Sequence, residues 1–319
     1  MRMYSSGWQA SNAKRELAVI KAGAIRWRCF SFASVFKIPG LPYYLPHAQG
    51  AVDACIKHKI PIMFDSGVFG YRSYKLSLLK QKKDLSKLVS EDQFIQLYVD
   101  YIKKNGHLYD WFVTVDLDKV AEDIYNRHCK LEAMGIRPTP VFHGDDSAAE
   151  YLRRYHDLGH TLVCAGTATG RSGQKMQKHY LDEIFNLAEK FGMRLHGLAL
   201  TSPFVMLGWN WWSVDSSSWS RAAGYGSIFV FDENTHRMST YHISDRSTKG
   251  EVAKMNPALV ERVREQVEAE GYDFDIMRQI DGEDAFVLRH IWNGKQMLKL
   301  TDYATKLHGE KSGNWNFLI

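Results

Sequence analysis

The amino-acid sequence predicts an α/β protein built as a (β/α)8 TIM barrel with a small helical C-terminal extension. Short apolar runs rich in β-forming residues recur along the chain, and stretches with helical spacing separate most of them. Nearly every run changes from apolar residues to Gly, Ser, Thr, Asp or His at its C-terminal end. In a barrel of parallel strands these ends converge on one face, which carries the chemistry. The pattern therefore predicts both a fold and the face on which a site lies.

The predicted strands are the apolar runs at 25–34, 61–69, 110–117, 136–144, 161–167, 194–201, 213–217 and 227–232. Intervening segments such as EDQFIQLYVDYIKKN and YLDEIFNLAEKFG have helical spacing, and several end in a glycine that suits a helix C-cap. Strand and helix in repeated alternation are typical of a parallel barrel. The connection around Asp215 is too short for a full helix, so we expect a loop there.

The sequence pattern changes near residue 245, and this change divides the chain into two regions. We expect a catalytic barrel over 1–245 and, over 246–319, helices that pack on it. A chain of 319 residues is long enough for one barrel of about 250 residues and an appendage.

The composition of the chain bears on its location and on whether it uses a metal or cofactor. The N-terminus has no continuous apolar stretch typical of a secretory signal, and the most apolar segment, 195–212, is broken by polar residues and a proline. We therefore expect no membrane association and a cytoplasmic location, the host cytoplasm if the protein is viral. The four cysteines are far apart and form no CxxC pair, and no HExxH motif is present. We expect reduced thiols, no metal and no cofactor; a homodimer is one possible oligomeric state.

Basic residues follow two of the predicted strands, although the net charge is only +5. By the barrel rule both groups belong to the catalytic face, where they predict phosphate contacts and a polyanionic substrate. The alternative is a solvated helix face. The candidate nucleic-acid-binding residues are Arg72, Lys75, Lys80, Lys82, Lys83, Arg171 and Lys175.

Two aspartates end matching apolar runs, and each is followed by a serine: Asp65 in PIMFDSGVFG and Asp215 in WWSVDSSSW. Alone, each has the alternative role of capping the next helix. The segment AGTATGRSG fits neither GxGxxG nor GxxxxGK[ST], so we interpret its glycines as permitting close approach of backbone to a flat ligand. The tryptophans near Asp215 are either core residues or stacking partners for a base; they are Trp209, Trp211, Trp212 and Trp219.

These runs together resemble the tRNA-guanine transglycosylases. FDSGVFG at 64–70 resembles the family's DSGGFQ signature, and TVDLD, PVFHGDD, CAGTATG, HGLALTSP and SVDSSSW follow in the order of its later motifs. The likeness covers roughly residues 60–220 and is greatest to phage and bacterial DNA-guanine transglycosylases of the DpdA type, which insert 7-deazaguanines into DNA. The resemblance implies a base-exchange enzyme that acts on DNA, or alternatively on tRNA.

The resemblance also implies roles for individual residues. Asp215 matches the nucleophile that forms a glycosyl-aspartate, and Asp65 matches the general acid and base. Asp116, or its neighbour Asp118, would accept hydrogen bonds from guanine. The remaining base-binding positions implied are Ser66, His143, Gly166, Thr167, His196 and Gly197.

Departures from the family pattern bear on the substrate. No cysteine follows Asp215, so the CxCxxC zinc subdomain of the tRNA enzymes has no counterpart. His143 replaces the family's glutamine, Val68 its second signature glycine, and Thr167 a leucine. The missing subdomain, which serves tRNA binding in that family, favours DNA over tRNA, and the three substitutions indicate a different incoming base. A barrel glycosidase and a non-catalytic nucleic-acid-binding protein remain as alternatives.

Overall fold

The structure, a computed structural model, describes residues 1–7, 13–117, 120–143, 147–166, 174–200, 202–244, 256–279 and 282–311, with backbone alone at 174–177 and 310–311. Eight parallel strands form one sheet in the order β4-β3-β2-β1-β8-β7-β6-β5. They are β1 (Arg2–Ser5), β2 (Trp27–Ser31), β3 (Ile62–Asp65), β4 (Trp111–Phe112), β5 (Val141–His143), β6 (Leu162–Gly166), β7 (Arg194–Leu198) and β8 (Ser213–Ser216).

The two edges of this sheet meet between β4 and β5. Val113 forms a parallel bridge with Thr139. The Thr139 N–H donates to the Phe112 carbonyl at 2.7 Å, and the Thr114 N–H donates to the Thr139 carbonyl at 2.9 Å. The sheet thus curls into a TIM-barrel-like fold, which confirms the predicted class.

One predicted strand assignment is wrong. Seven of the predicted runs contain barrel strands, but the eighth barrel strand is β1 at the N-terminus and not the run at 227–232. That run forms β9 (Ser227–Asp232), which pairs antiparallel with β10 (Arg237–His242) outside the barrel. The sequence RMYS is too short to stand out as an apolar run, and it becomes a strand because it pairs with both β2 and β8.

Helices cover the outside of the barrel. The expectation of a loop after Asp215 is also wrong, because a short helix, α10 (Ser218–Gly224), occupies that connection. The helices are α1 (Ala13–Lys21), α2 (Phe32–Val35), α3 (Ala48–Lys57), α4 (Val68–Lys80), α5 (Glu91–Asn105), α6 (Ala121–Ala133), α7 (Ala148–Asp157), α8 (Gln174–Lys190), α9 (Pro203–Gly208), α10 (Ser218–Gly224), α11 (Pro257–Ala269), α12 (Phe274–Arg278) and α13 (Glu283–Lys311).

Three apolar clusters are built on the barrel wall, one inside it and two outside it. Tyr4, Cys29, Met63, Val141 and Cys164 fill the barrel interior. Outside the wall, one apolar cluster joins β2 and β3 to α3 and α5, and another joins β6, β7 and β8 to α7, α8 and α13. Because the two outer clusters divide near β4 and β5, the closing edge of the barrel is also a boundary in the core.

Helix α13 joins the C-terminal helices both to the β9–β10 hairpin and to the barrel. The side-chain oxygens of Asn293 and Gln296 accept the backbone N–H groups of Phe229 and Phe231 at 2.8 and 3.0 Å. Helix α13 also contacts α1, α10 and β1, so it covers the barrel where β8 meets β1. Within the described part of the chain, no helix has the length and apolarity needed to cross a membrane.

Candidate active site

Two carboxylates stand at the C-terminal ends of β3 and β8 and face the barrel axis. Met63 belongs to the interior cluster, and Asp65, two residues later on the same strand, shares its face because strand side chains alternate. Asp215 is paired in register with the interior residue Tyr4 and is only 9% exposed. The strand-end pattern in the sequence therefore locates both groups.

The turn after β3 holds the Asp65 side chain in place. The Gly67 N–H donates to Asp65 Oδ2 at 2.9 Å. Gly67 has φ of 76°, and a Cβ added there would lie 2.7 Å from the Ala33 backbone nitrogen. The glycine of the DSG sequence is therefore required both for the left-handed conformation and for the close approach of α2.

The pKa of Asp65 is raised from 3.8 to about 6, mainly by burial and also by the neighbouring carboxylates of Asp215 and Asp116, against opposing hydrogen bonds from Gly67 and Ser31. Burial is the main cause of the raised pKa values of the Cys29 and Cys164 thiols in the interior, and the carboxylates of Asp65 and Asp215 contribute to both. Asp65, Asp116 and Asp215 thus form one electrostatically coupled group above the packed interior. A carboxyl with a pKa near neutrality can both donate and accept a proton, as acid–base catalysis requires.

Asp215 is oriented by the loop that follows β7. The Ala199 N–H donates to Asp215 Oδ1 at 2.9 Å, and Ala199 adopts φ of 54°. A residue other than glycine in the left-handed region is uncommon and strained, and such strain concentrates at functional sites. No signal in the sequence identifies Ala199.

His196 lies beneath Asp215, inside the barrel wall. Its Nδ1 is 2.7 Å from the Ser213 hydroxyl, and its Nε2 is 3.4 Å from Asp215 Oδ1. That second contact lacks hydrogen-bond geometry, and Nε2 is buried without a hydrogen-bond partner. Full burial suits His196 to supporting Asp215 better than to contacting a base.

His143 and Asp116 form the second pair on this face. The imidazole Nε2 lies 2.7 Å from Asp116 Oδ2, at hydrogen-bond distance. A Cβ added to Gly166 would lie 2.5 Å from His143 Cε1 and nearer still to Nδ1. The glycine does admit a flat group, but in this structure the group is the His143 ring itself.

The other predicted base-binding residues are packed in the interior of the protein or lie outside the described residues. Ser66 is buried at 1% exposure, and Gly197 packs against Leu200 and Trp211 in the outer core. Thr167, Asp118 and Arg171 lie outside the described residues, as does the side chain of Lys175.

Three of the four tryptophans near Asp215 are core residues, in agreement with the first of the two interpretations. Trp209, Trp211 and Trp219 are buried, and the Trp219 indole donates to the Ser6 carbonyl. Trp212 lies between the guanidinium groups of Arg2 and Arg194 at the other end of the barrel. None of these four rings is a surface for stacking a base beside Asp215.

Most of the described basic candidates lie along α4, which begins directly after Asp65. Only Val68 and Tyr71 of this helix are buried, so most of α4 is not packed in the core. Lys80, Lys82 and Lys83 are exposed and Arg72 is half-buried, whereas Lys75 is paired with Glu91 at 2.8 Å. At a rise of about 1.5 Å per residue, Lys80 lies roughly 18 Å along the helix from Val68.

Neither a known protein family nor a curated protein matches this chain. A functional assignment therefore rests on the site and on the strand-end motifs of the sequence.

Proposed function

We propose that this protein is a base-exchange transglycosylase that replaces guanine in DNA with a 7-deazaguanine such as 7-cyano-7-deazaguanine. The observation that carries the proposal is the pair of inward-facing carboxylates on β3 and β8, one of which has a pKa of about 6. The resemblance of the strand-end motifs to the tRNA-guanine transglycosylases supplies the substrate class. Membership in that superfamily is part of the proposal.

Exchange with retention at the sugar requires two displacements. The Asp215 carboxylate attacks the anomeric carbon as the bond to guanine breaks, and Asp65 delivers a proton to the departing base. The incoming base then displaces Asp215 and gives its proton to Asp65, which restores both groups. The oriented Asp215 and the raised pKa of Asp65 suit these unequal roles.

Asp116 is the proposed reader of the base. A carboxylate offers about four acceptor positions, so Asp116 can hold His143 and still accept hydrogen bonds from the N1-H and amino group of guanine. In this arrangement His143 fixes the direction of Asp116, and Gly166 leaves room for the imidazole ring.

The surface of α4 favours a polynucleotide over a small glycoside. Phe69, in the first turn of α4 after Asp65, is 85% exposed and offers a ring for stacking a base. Lys80, Lys82 and Lys83 are exposed further along and can contact phosphates. A barrel glycosidase uses paired carboxylates too, but it has no need of either feature.

The nucleophile assignment is tested with Asp215→Asn. We expect wild type to incorporate labelled base into duplex DNA and to form a trappable protein–DNA adduct, and the variant to lose both while retaining DNA affinity, because phosphate contacts supply most of the binding. Near-wild-type exchange by the variant would refute the role of Asp215. If the protein exchanged bases in tRNA and not in DNA, the same chemistry would apply and tRNA would be the substrate.

A further inference from the structure

A second cluster of ionisable side chains lies outside the barrel wall, between α6 and the turn that precedes β6. His128 and Glu132 are one turn apart on α6, and His160 follows α7. The two Nε2 atoms are 3.0 Å apart, and Glu132 Oε1 lies 3.0 Å from His160 Nε2 and 3.7 Å from His128 Nε2. His128 is fully buried and His160 is 7% exposed, so three potential ligand atoms face one another in a largely dry space.

Hydrogen bonds alone do not account for these short contacts. A neutral imidazole nitrogen either donates or accepts a hydrogen bond. If His160 Nε2 carries a proton, that proton cannot point along both 3.0 Å contacts; if it carries none, its lone pair faces the Glu132 carboxylate. A metal ion would resolve this conflict, because both ring nitrogens could then direct a lone pair toward it, and neutral imidazole is the form that binds metals.

We propose that His128, Glu132 and His160 bind a divalent cation of the zinc class. Two ligand atoms that are each roughly 2.0–2.1 Å from a tetrahedral zinc ion lie about 3.3 Å apart. The observed separations of 3.0, 3.0 and 3.7 Å bracket that value. Two imidazole nitrogens and one carboxylate oxygen, with a water as fourth ligand, form a donor set that zinc accepts.

The surroundings of the cluster bear on its charge and orientation. The Thr114 hydroxyl is 3.4 Å from His128 Nδ1, where it can fix the direction of the ring. Arg137 is the nearby cation that opposes a metal; its guanidinium donates to the carbonyls of Leu158 and Gly159 at 3.1 Å. The Glu132 carboxylate offsets that charge, and its side chain, 23% exposed, opens the cluster to solvent.

The position of the cluster indicates a structural role for the ion. Helix α6 connects β4 to β5, where the barrel closes through the Val113–Thr139 bridge. A cation held by His128 and His160 would join α6 to the entrance of β6 across this closing edge. The site lies in the outer layer, away from the carboxylates, so its existence does not depend on the proposed function.

The test uses the full chain without a histidine tag, stripped with a chelator and titrated with Zn²⁺ by calorimetry. We expect one equivalent to bind and the melting temperature to rise with zinc concentration, as mass action requires of a ligand of the folded state. Glu132→Gln and His160→Gln should each weaken binding at least tenfold. The matched control is His156→Gln, on neighbouring α7 with a half-exposed side chain, which should bind as wild type does.

Cobalt binding tests the site in the wild-type protein, so the result does not depend on whether a variant folds. Co²⁺ added to stripped wild type should give the visible absorption of a tetrahedral site, and Zn²⁺ should abolish it. Absence of that absorption, or unchanged zinc affinity in Glu132→Gln, would overturn the proposal. Asp65→Asn and Asp215→Asn should keep the site, which separates it from the fate of the proposed exchange reaction.

Discussion

Replacing Asp65 by Asn should stabilise the protein at neutral pH while abolishing base exchange. The folded state raises the pKa of this carboxyl from 3.8 to about 6, so the folded protein binds the proton more tightly than the unfolded chain does. The stability contributed by that proton is fully present below pH about 4 and is lost as pH rises through about 6. At 1.36 kcal/mol per pKa unit, ionised Asp65 costs up to about 3 kcal/mol above pH 7.

Asparagine keeps the shape and an oxygen that can accept the Gly67 N–H, but it carries no charge. We therefore expect Asp65→Asn to raise the free energy of unfolding at pH 8 by about 1–3 kcal/mol, and the gain to shrink toward zero at pH 4. Urea unfolding followed by tryptophan fluorescence measures both values, with equal m-values as the check on comparable unfolding. The control Asp100→Asn, at an exposed position of α5, should change stability by no more than about 0.5 kcal/mol.

A variant less stable than wild type at pH 8, or a gain of equal size at both pH values, would refute this account of Asp65. The expected result has a functional meaning as well. A carboxylate that destabilises the fold is typical of a group retained for chemistry, because stability and activity often oppose each other at active sites.

Two further perturbations test the base-reading pair and the polymer. Gly166→Ala should displace the His143 ring, cost about 1–3 kcal/mol of stability and reduce exchange, and adding His143→Ala should restore the stability but not the activity; independent effects in the double variant would contradict this contact. Replacing Lys80, Lys82 and Lys83 by Ala should flatten the salt dependence of DNA binding by about one unit of slope for each phosphate that is no longer neutralised, whereas replacing exposed lysines at 57 and 104 should leave it unchanged. If the salt dependence of DNA binding had the same slope in both sets of lysine variants, α4 would not be part of the DNA interface.

The sequence by itself determined the fold class and the residues at the strand ends. Apolar runs that turn polar at one end encode a local period and a direction, and these suffice to predict a parallel barrel. They also suffice to bring Asp65, Asp116, His143 and Asp215 to one face. The identity of the eighth strand was not encoded locally, because β1 becomes a strand only through its two partners.

Tertiary structure alone decided which groups complete each site. That the His143 ring fills the space over Gly166, and that a strained Ala199 directs its N–H at Asp215, depends on contacts between different strands and loops. From the sequence we expected no metal, because the signal that indicates one is a histidine pair on a single helix. The proposed metal site instead depends on the contact between His128 on α6 and His160 after α7, which are 32 residues apart in the chain. Local periodicity cannot specify such contacts, because closure of the barrel selects which distant residues become neighbours.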